Sequence, residues 1–236
     1  MTGNDSAAGT SLEDGVSWRE LAVARSLDSA RTRAENRVQR FMDAALELVN
    51  RGSGTDFTVQ EVVERSGQSL RTFYQYFDGK HELLLALFEE SVSSTVVYLQ
   101  KRIAEEQDPL ERLHCFVVEY HKLCRPAPSG KPVAKGAPPV MAEFAWQLLT
   151  KHPREASRAF GPLESMLTAL IDDAAAAGAL RPGLGSGRVT GVVLEAIMFN
   201  VFAATIAGPS HRTGKTTAAE DLWDLLFRGI EARDGA

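Results

Sequence analysis

A chain of 236 residues with 44% hydrophobic and 24% charged side chains has enough apolar surface for a buried core and is too apolar for a disordered polymer. Its formal net charge of −5 excludes a protein that coats nucleic acid indiscriminately, but leaves room for a local basic surface. No apolar run approaches the roughly 18 residues that a membrane-spanning helix needs and no charged-then-apolar leader opens the chain, so a cytoplasmic protein without membrane partners is expected.

Residues 1–15 are rich in Gly, Ser, Asp and Thr and are expected to be disordered. Residues 1–18 hold three acids and no Lys or Arg, whereas residues 19–40 hold six arginines, Arg19, Arg25, Arg31, Arg33, Arg37 and Arg40, against Glu20, Asp28 and Glu35. This basic arm suits contacts to phosphates or a minor groove, and equally suits a solvated helix start paired to Glu20 and Glu35. Within it, WRELAVARSL reads as a helical turn or two. The first sustained helix is expected over 33–50, with Val38, Phe41, Met42, Ala45 and Val49 on one face and Gly52 and Gly54 ending it.

Thr58 and Glu61 then form a capping box, followed by Val59, Val62 and Val63 at helical spacing. Gly67 stops that helix after Ser66, and Ser69 can cap the next, SLRTFYQYF. Two short helices joined by a tight glycine turn make a helix-turn-helix unit. A long helix over 80–103 follows, carrying Leu83, Leu84, Leu87, Phe88 and Val92. A fifth opens with Asp108 as N-cap, Pro109 in the first turn and Glu111 at the third position, and ends near Cys124. Residues 125–139 are Pro, Gly and Lys rich and read as a loop. Helix six stops before His152 and Pro153, the seventh covers 161–177, the eighth 188–206, and after a loop the ninth spans 217–233. Alternating β-type patterns are missing, so the fold class is all-α.

With 100° per residue from Leu70, the second short helix places Leu70, Phe73, Tyr74 and Phe77 on a buried edge and Arg71, Thr72, Gln75 and Tyr76 outside. An Arg can fork onto guanine O6/N7, a Gln onto adenine N6/N7, and hydroxyls suit phosphate oxygens. A solvated polar face is the plainer alternative. Burying only aromatic and aliphatic groups beneath so short a helix, with four hydrogen-bonding side chains left outside, favours a reader of the major groove.

Residues 33–90 resemble the DNA-binding domain of TetR-type (TetR/AcrR) transcriptional regulators: an apolar first helix, T-V-x-E-V-V-x-x-S-G, then S-x-x-T-F-Y-x-Y-F-x-G-K-x-E-L-L. Thr72, Tyr74, Phe77, Lys80, Glu82 and Leu83 sit at that family's spacing. The resemblance implies phosphate contacts from Thr58, Ser69, Thr72, Tyr74, Tyr76 and Lys80, and base-edge contacts from Gln60, Leu70, Arg71 and Gln75. Gln68 joins this DNA-facing set at a turn position where the family commonly has an apolar residue, and Tyr76 stands where His is frequent. It further implies a flexible basic extension over 1–30, a three-helix helix-turn-helix domain over 31–79 and a helical effector-binding and dimerisation domain over 80–236.

So short a recognition helix acts in pairs on two half-sites, and the double-stranded DNA operator calls for a homodimer. Helix eight, with Val189, Val192, Val193, Ile197, Phe199, Val201 and Ile206, and helix nine, with Leu222, Trp223, Leu225, Leu226 and Ile230, are apolar enough to pair with a partner's copies. Phe116, Tyr120, Met141, Phe144, Trp146, Gln147, Met166 and Leu170, with Phe160 among them, are the candidate lining of a pocket for a small apolar effector. Each alone reads as ordinary core; as a group they fit a ligand cavity. A repressor is the sense the resemblance favours.

Three other patterns carry less. GPSHRTGKT (208–216) has five residues rather than four between Gly208 and Gly214 and follows a helix, which rejects a P-loop. Cys115 and Cys124, nine apart in one helix, face opposite ways and are expected to be reduced core thiols. Glu111 and His114 have the spacing of di-iron helices without a second copy; a small helical metal-binding protein or metalloenzyme using Glu111, His114 and His121, or a mononuclear site of His114, His121 and Cys124, is the rival function. No catalytic Ser/His/Asp or Cys/His set and no cofactor motif is readable, so an enzyme is not expected.

Overall fold

The computed structural model describes residues 17–53, 55–124, 141–207 and 218–230. Their regular elements are helical: α1 (Trp18–Leu48), α2 (Val59–Ser66), α3 (Leu70–Phe73), α4 (Lys80–Ile103), α5 (Pro109–Cys124), α6 (Ala142–Lys151), α7 (Pro153–Ala176), α8 (Ser186–Ala207) and α9 (Ala218–Ile230), with a π-helical turn over Val49–Ser53 after α1. The all-helical expectation therefore holds. Three expectations fall outside the described residues: disorder over 1–15, the loop over 125–139 and the 208–216 segment. So do the side chains of Val201 and Ile206 and the last residues assigned to helix nine.

Two helix starts differ from the sequence reading. The arm over 18–32, expected to be flexible with a turn or two of helix, is the first half of a continuous α1. A capping box begins it: Glu20 accepts the Ser17 N–H at 2.9 Å, and the Ser17 hydroxyl accepts from Arg19 at 3.3 Å. The buried residues of α1, Phe41, Met42, Ala44, Ala45 and Leu48, all lie in its second half, so the first half has only local reasons to be helical. The other difference is α7, which starts at Pro153 instead of near residue 161. Pro153 occupies the first turn, where its missing N–H is not needed, and the helix runs through Pro162 because Ala156, Ala159 and Leu163 bury one continuous face.

The N-terminal head packs α1, α2 and α3 around Phe41, Phe57, Val62, Val63, Phe73 and Phe77, all buried. Phe41 meets Phe73 edge-on with ring centroids 5.4 Å apart. In the remainder of the chain α7 is central: it packs on α4, α5, α6 and α8, while α9 lies against α5 and α8. Leu163, Leu167 and Ile171 of α7 are fully buried together with Leu99, Leu113, Phe116, Phe144, Leu148 and Ile197. Burying an aliphatic or aromatic side chain of this size is worth about 1.5–3 kcal/mol, so this cluster is ample to hold the helices in one register. Asp108 caps α5 alone, accepting from the N–H groups of Leu110 and Glu111 at 2.8 and 3.1 Å. Among the described residues no helix is long and apolar enough to cross a membrane.

Candidate nucleic-acid interface and effector cavity

Three caps fix the head's helix-turn-helix. Thr58 starts α2: its hydroxyl accepts the Glu61 N–H at 3.2 Å, and the Glu61 carboxylate takes the Thr58 N–H at 2.7 Å. The Glu61 carboxyl is held below its ordinary value first by that backbone hydrogen bond and then by the Thr58 hydroxyl. Gly67 ends α2 at φ 66°, in the left-handed region, with its own N–H on the Glu64 carbonyl and the Gln68 N–H on the Val63 carbonyl. These two bonds make a Schellman stop, which favours glycine. Ser69 starts α3 by accepting the Thr72 N–H at 3.1 Å.

The helix so capped is shorter than the sequence reading. After Phe73 the chain tightens into turns, with the Gln75 and Tyr76 N–H groups bonding the Thr72 and Phe73 carbonyls three residues back. The helical-wheel assignment of Leu70 and Tyr74 to the buried edge is overturned: Leu70 is 42% exposed and Tyr74 56%, and only Phe73 and Phe77 are buried. Tyr74 is still in α-helical register, its N–H on the Leu70 carbonyl at 3.1 Å, and its ring meets Phe73 edge-on from outside the core, with centroids 5.4 Å apart. The outward surface is Leu70, Arg71, Tyr74 and Gln75, with Thr72 and Tyr76 half-buried at its rim.

Hydrogen bonds within the head assign the remaining DNA-facing candidates different capacities. Ser69 and Thr72 share a 2.7 Å hydroxyl pair, which consumes one O–H and leaves the other for an acceptor such as a phosphate. Thr58 gives its only O–H to Glu61 at 2.8 Å and has no second proton to donate. The Gln68 amide donates to the Arg37 carbonyl of α1 at 2.8 Å, tying the turn to the first helix instead of projecting outward. Gln60 is exposed, its amide on Glu64 at 3.1 Å. Lys80 lies at the first residue of α4, its ammonium 5.0 Å above the Phe57 ring, beside N–H groups that the Gly79 cap has no side chain to satisfy. Arg65 of α2 and Glu47 of α1, 2.8 Å apart, brace the head from behind.

A cavity of about 590 Å³ opens between α5, α6, α7 and α8. Its walls are Tyr120, Trp146, Leu149, Pro153, Ala156, Ser157, Phe160, Glu164, Gly191, Leu194, Glu195, Met198 and Phe199. Of the nine expected lining residues the structure brings Tyr120, Trp146 and Phe160 here. Phe116, Met141, Phe144 and Leu170 are buried in the core, and Gln147 and Met166 are half-buried outside the lining. The walls that sequence reasoning missed lie on two helical stripes, Pro153–Ala156–Ser157–Glu164, on which the expected Phe160 also sits, and Gly191–Leu194–Glu195–Met198. Both follow i, i+3, i+4, i+7 spacing, and their small members Ala156, Ser157 and Gly191 make room for the cavity. Size and aromatic character, the signals used, select wall (Tyr120, Trp146, Phe160) and core (Phe116, Phe144) alike.

The rival metal set is not assembled. His114 hydrogen-bonds Glu220 of α9 at 2.8 Å and stands 3.6 Å from Glu111, while the His121 side chain, 1% exposed, belongs to no cluster of possible metal donors among the described residues. The Cys124 thiol is pushed up to about 11 by burial, and Cys115 is raised for the same reason; both are free and half-buried. On the outer face of α8 and α9, Val192, Phe199 and Leu225 are exposed, opposite buried Val189, Val193, Ile197 and Leu222.

Residues 41–87 match the family of bacterial regulatory proteins, tetR family. Eighty-three residues are 24% identical to the fatty acid metabolism regulator protein of Bacillus subtilis (strain 168), a match covering 35% of this chain and 43% of that relative. The chain thus matches less than half of that curated relative's length. Solved structures extend the likeness at the level of fold. FadR of Bacillus subtilis, determined with stearoyl-CoA, superposes with a TM-score of 0.61 over 82% of this chain and 99% of its own at 18% identity. FadR of Bacillus halodurans gives 0.61 over 84% and 97% at 18% identity, and a TetR-family regulator of Cytophaga hutchinsonii 0.62 over 86% and 98% at 12% identity.

Proposed function

We propose, from the premise that this chain is a TetR-type DNA-binding transcriptional regulator, that it works as a homodimeric repressor released from its operator by an effector with a largely apolar body. The observation that carries the reading is the surface of α3 and the turns after it: Leu70, Arg71, Tyr74 and Gln75 stand outward while the underside, Phe73 and Phe77, is locked into the head. Arg71 and Gln75 read base edges and Leu70 offers apolar contact to a thymine methyl. Tyr74, Tyr76 and the Ser69–Thr72 pair hold phosphates, as does Lys80 at the α4 N-terminus. Gln68 and Thr58, by their internal hydrogen bonds, position the reading helix.

The outward apolar residues of α8 and α9, Val192, Phe199 and Leu225, are the dimer surface in this reading, and a partner's copy would cover Phe199 at the cavity mouth. An effector between α7 and α8 changes the setting of α4 against α7, and so the spacing of the two heads, by its differential affinity for the two arrangements. The Bacillus subtilis relative determined with stearoyl-CoA makes a fatty acyl thioester the first effector to try. A protein that reads operators works where the chromosome lies, in the cytoplasm.

The test is retention of its own upstream DNA in a band-shift assay, titrated with stearoyl-CoA. Specific retention relieved by the ligand supports the reading. Binding that ignores sequence, at a salt dependence typical of bare phosphate contacts, contradicts it.

A further inference from the structure

His81, the second residue of α4, stands beside Lys80 at the seam between the head and the helices behind it. Its Nε2 is 2.6 Å from Oε2 of Glu155, and Nδ1 of His152 is 3.9 Å from the same oxygen. Donor atoms of all three lie within 4.8 Å of one another. The two imidazole centroids are 4.4 Å apart, and Phe144 packs on His81 at 5.8 Å, which limits rotation of that ring. All three side chains are half-buried, open enough for an ion to enter and closed enough to reduce competition from bulk water.

We infer that His81, His152 and Glu155 form a binding site for a divalent transition-metal ion, zinc foremost, which clips the start of α4 to the α6–α7 corner. Two imidazoles and a carboxylate are a donor set for borderline ions, with a fourth position left for water. Bonds of about 2.0–2.2 Å in a tetrahedral site put donor atoms about 3.3–3.6 Å apart. The separations of 2.6 and 3.9 Å bracket that spacing, so closing round an ion needs only small side-chain adjustments. A simple His–Glu hydrogen bond accounts for His81 and Glu155, but does not call for a second imidazole converging on the same carboxylate oxygen. His152 and Glu155 share one corner of the chain, so the ion's mechanical effect falls on His81 and hence on α4.

The clip also touches the cavity. Pro153 and Ala156, on either side of Glu155, are cavity walls, so an effector and an ion bear on the same turn of α7. The consequence for operator binding rests on the regulator reading; the site itself does not.

Cobalt(II) added to the full metal-free chain reports coordination by its visible absorption, and zinc binding is read by calorimetry, neither needing DNA. The expected result is one ion per chain, weakened at least about tenfold by His152→Ala and by Glu155→Gln separately and unchanged by His114→Ala. No binding by the unaltered chain, undiminished binding by either His152→Ala or Glu155→Gln, or loss through His114→Ala would overturn the site. Zinc that alters operator retention by the unaltered chain, but not by H152A, supports the clip; retention indifferent to bound zinc overturns the clip and leaves the site standing.

Discussion

The head and the helices behind it are held by different physics. In α2 and α3 the decisive contacts are local: Thr58 with Glu61, Gly67 with Glu64, Ser69 with Thr72, each spanning three residues. In the C-terminal body they are long-range, such as Arg158 of α7 with Glu89 of α4 at 3.0 Å and the Tyr98 hydroxyl of α4 donating to Glu119 of α5 at 2.9 Å. Locally specified structure presents a surface whose chemistry can be read in order along the chain. Structure specified by packing puts its cavity wherever small side chains from separate helices happen to meet.

The largest effect should come from cutting the link between the head's caps and its core. Phe73→Ala, at a fully buried ring in edge contact with Phe41, should destabilise the head by about 3–5 kcal/mol, seen as a lowered denaturation midpoint together with lost DNA retention. If the caps alone hold α3, the midpoint will hardly move. Next, Leu225→Asp on the exposed face of α9 should halve the mass seen by sedimentation while leaving helicity intact. An unchanged mass would contradict the proposed dimer surface on α8 and α9. Gly67→Ala should cost about 1–2 kcal/mol, because a left-handed backbone at φ 66° penalises a Cβ although no neighbour crowds it.

The smallest effect concerns pH. The folded Glu61 carboxyl titrates below its ordinary value of 4.5, chiefly through the Thr58 backbone hydrogen bond. Its contribution is therefore complete above that value and is lost as pH falls through the depressed one, since the unfolded chain then binds the proton more readily. Acid unfolding of the head followed by tryptophan-free probes such as amide exchange should begin at higher pH in Glu61→Gln. Coincident profiles for the two proteins would show that the capping carboxylate carries no charge-dependent stability.

Legibility in the sequence follows the same division. The capping box at Thr58, the stop at Gly67, the cap at Ser69 and the Asp108 start of α5 were all readable because each is a spacing of a few residues. The wheel misplaced Leu70 and Tyr74 because so short a helix buries only the narrow stripe of Phe73 and Phe77, and an apolar side chain beside that stripe carries no mark of which way it faces. Residues 18–32 read as flexible with only a turn or two of helix because they bury little, yet their own capping box and the Arg31–Glu35 pair at 2.7 Å, i to i+4, support a helix without a core. The start of α7 was hidden by Pro153 and Gly161–Pro162, breakers in isolation that long-range burial of Ala156, Ala159 and Leu163 overrides. For the cavity, large aromatic residues marked wall and core alike and gave no sign of the small residues that make room, and the His81–His152–Glu155 grouping joins positions 74 residues apart that no spacing rule connects.

Everything functional depends on the outward face of α3 touching bases. The most direct measurement compares the unaltered chain and Arg71→Ala against a library of single-base changes in the upstream sequence it retains. The account predicts that Arg71→Ala loses about 1–3 kcal/mol of discrimination at one base pair in each half-site, with other positions unaffected. Equal weakening on every sequence, or no change at all, would contradict it.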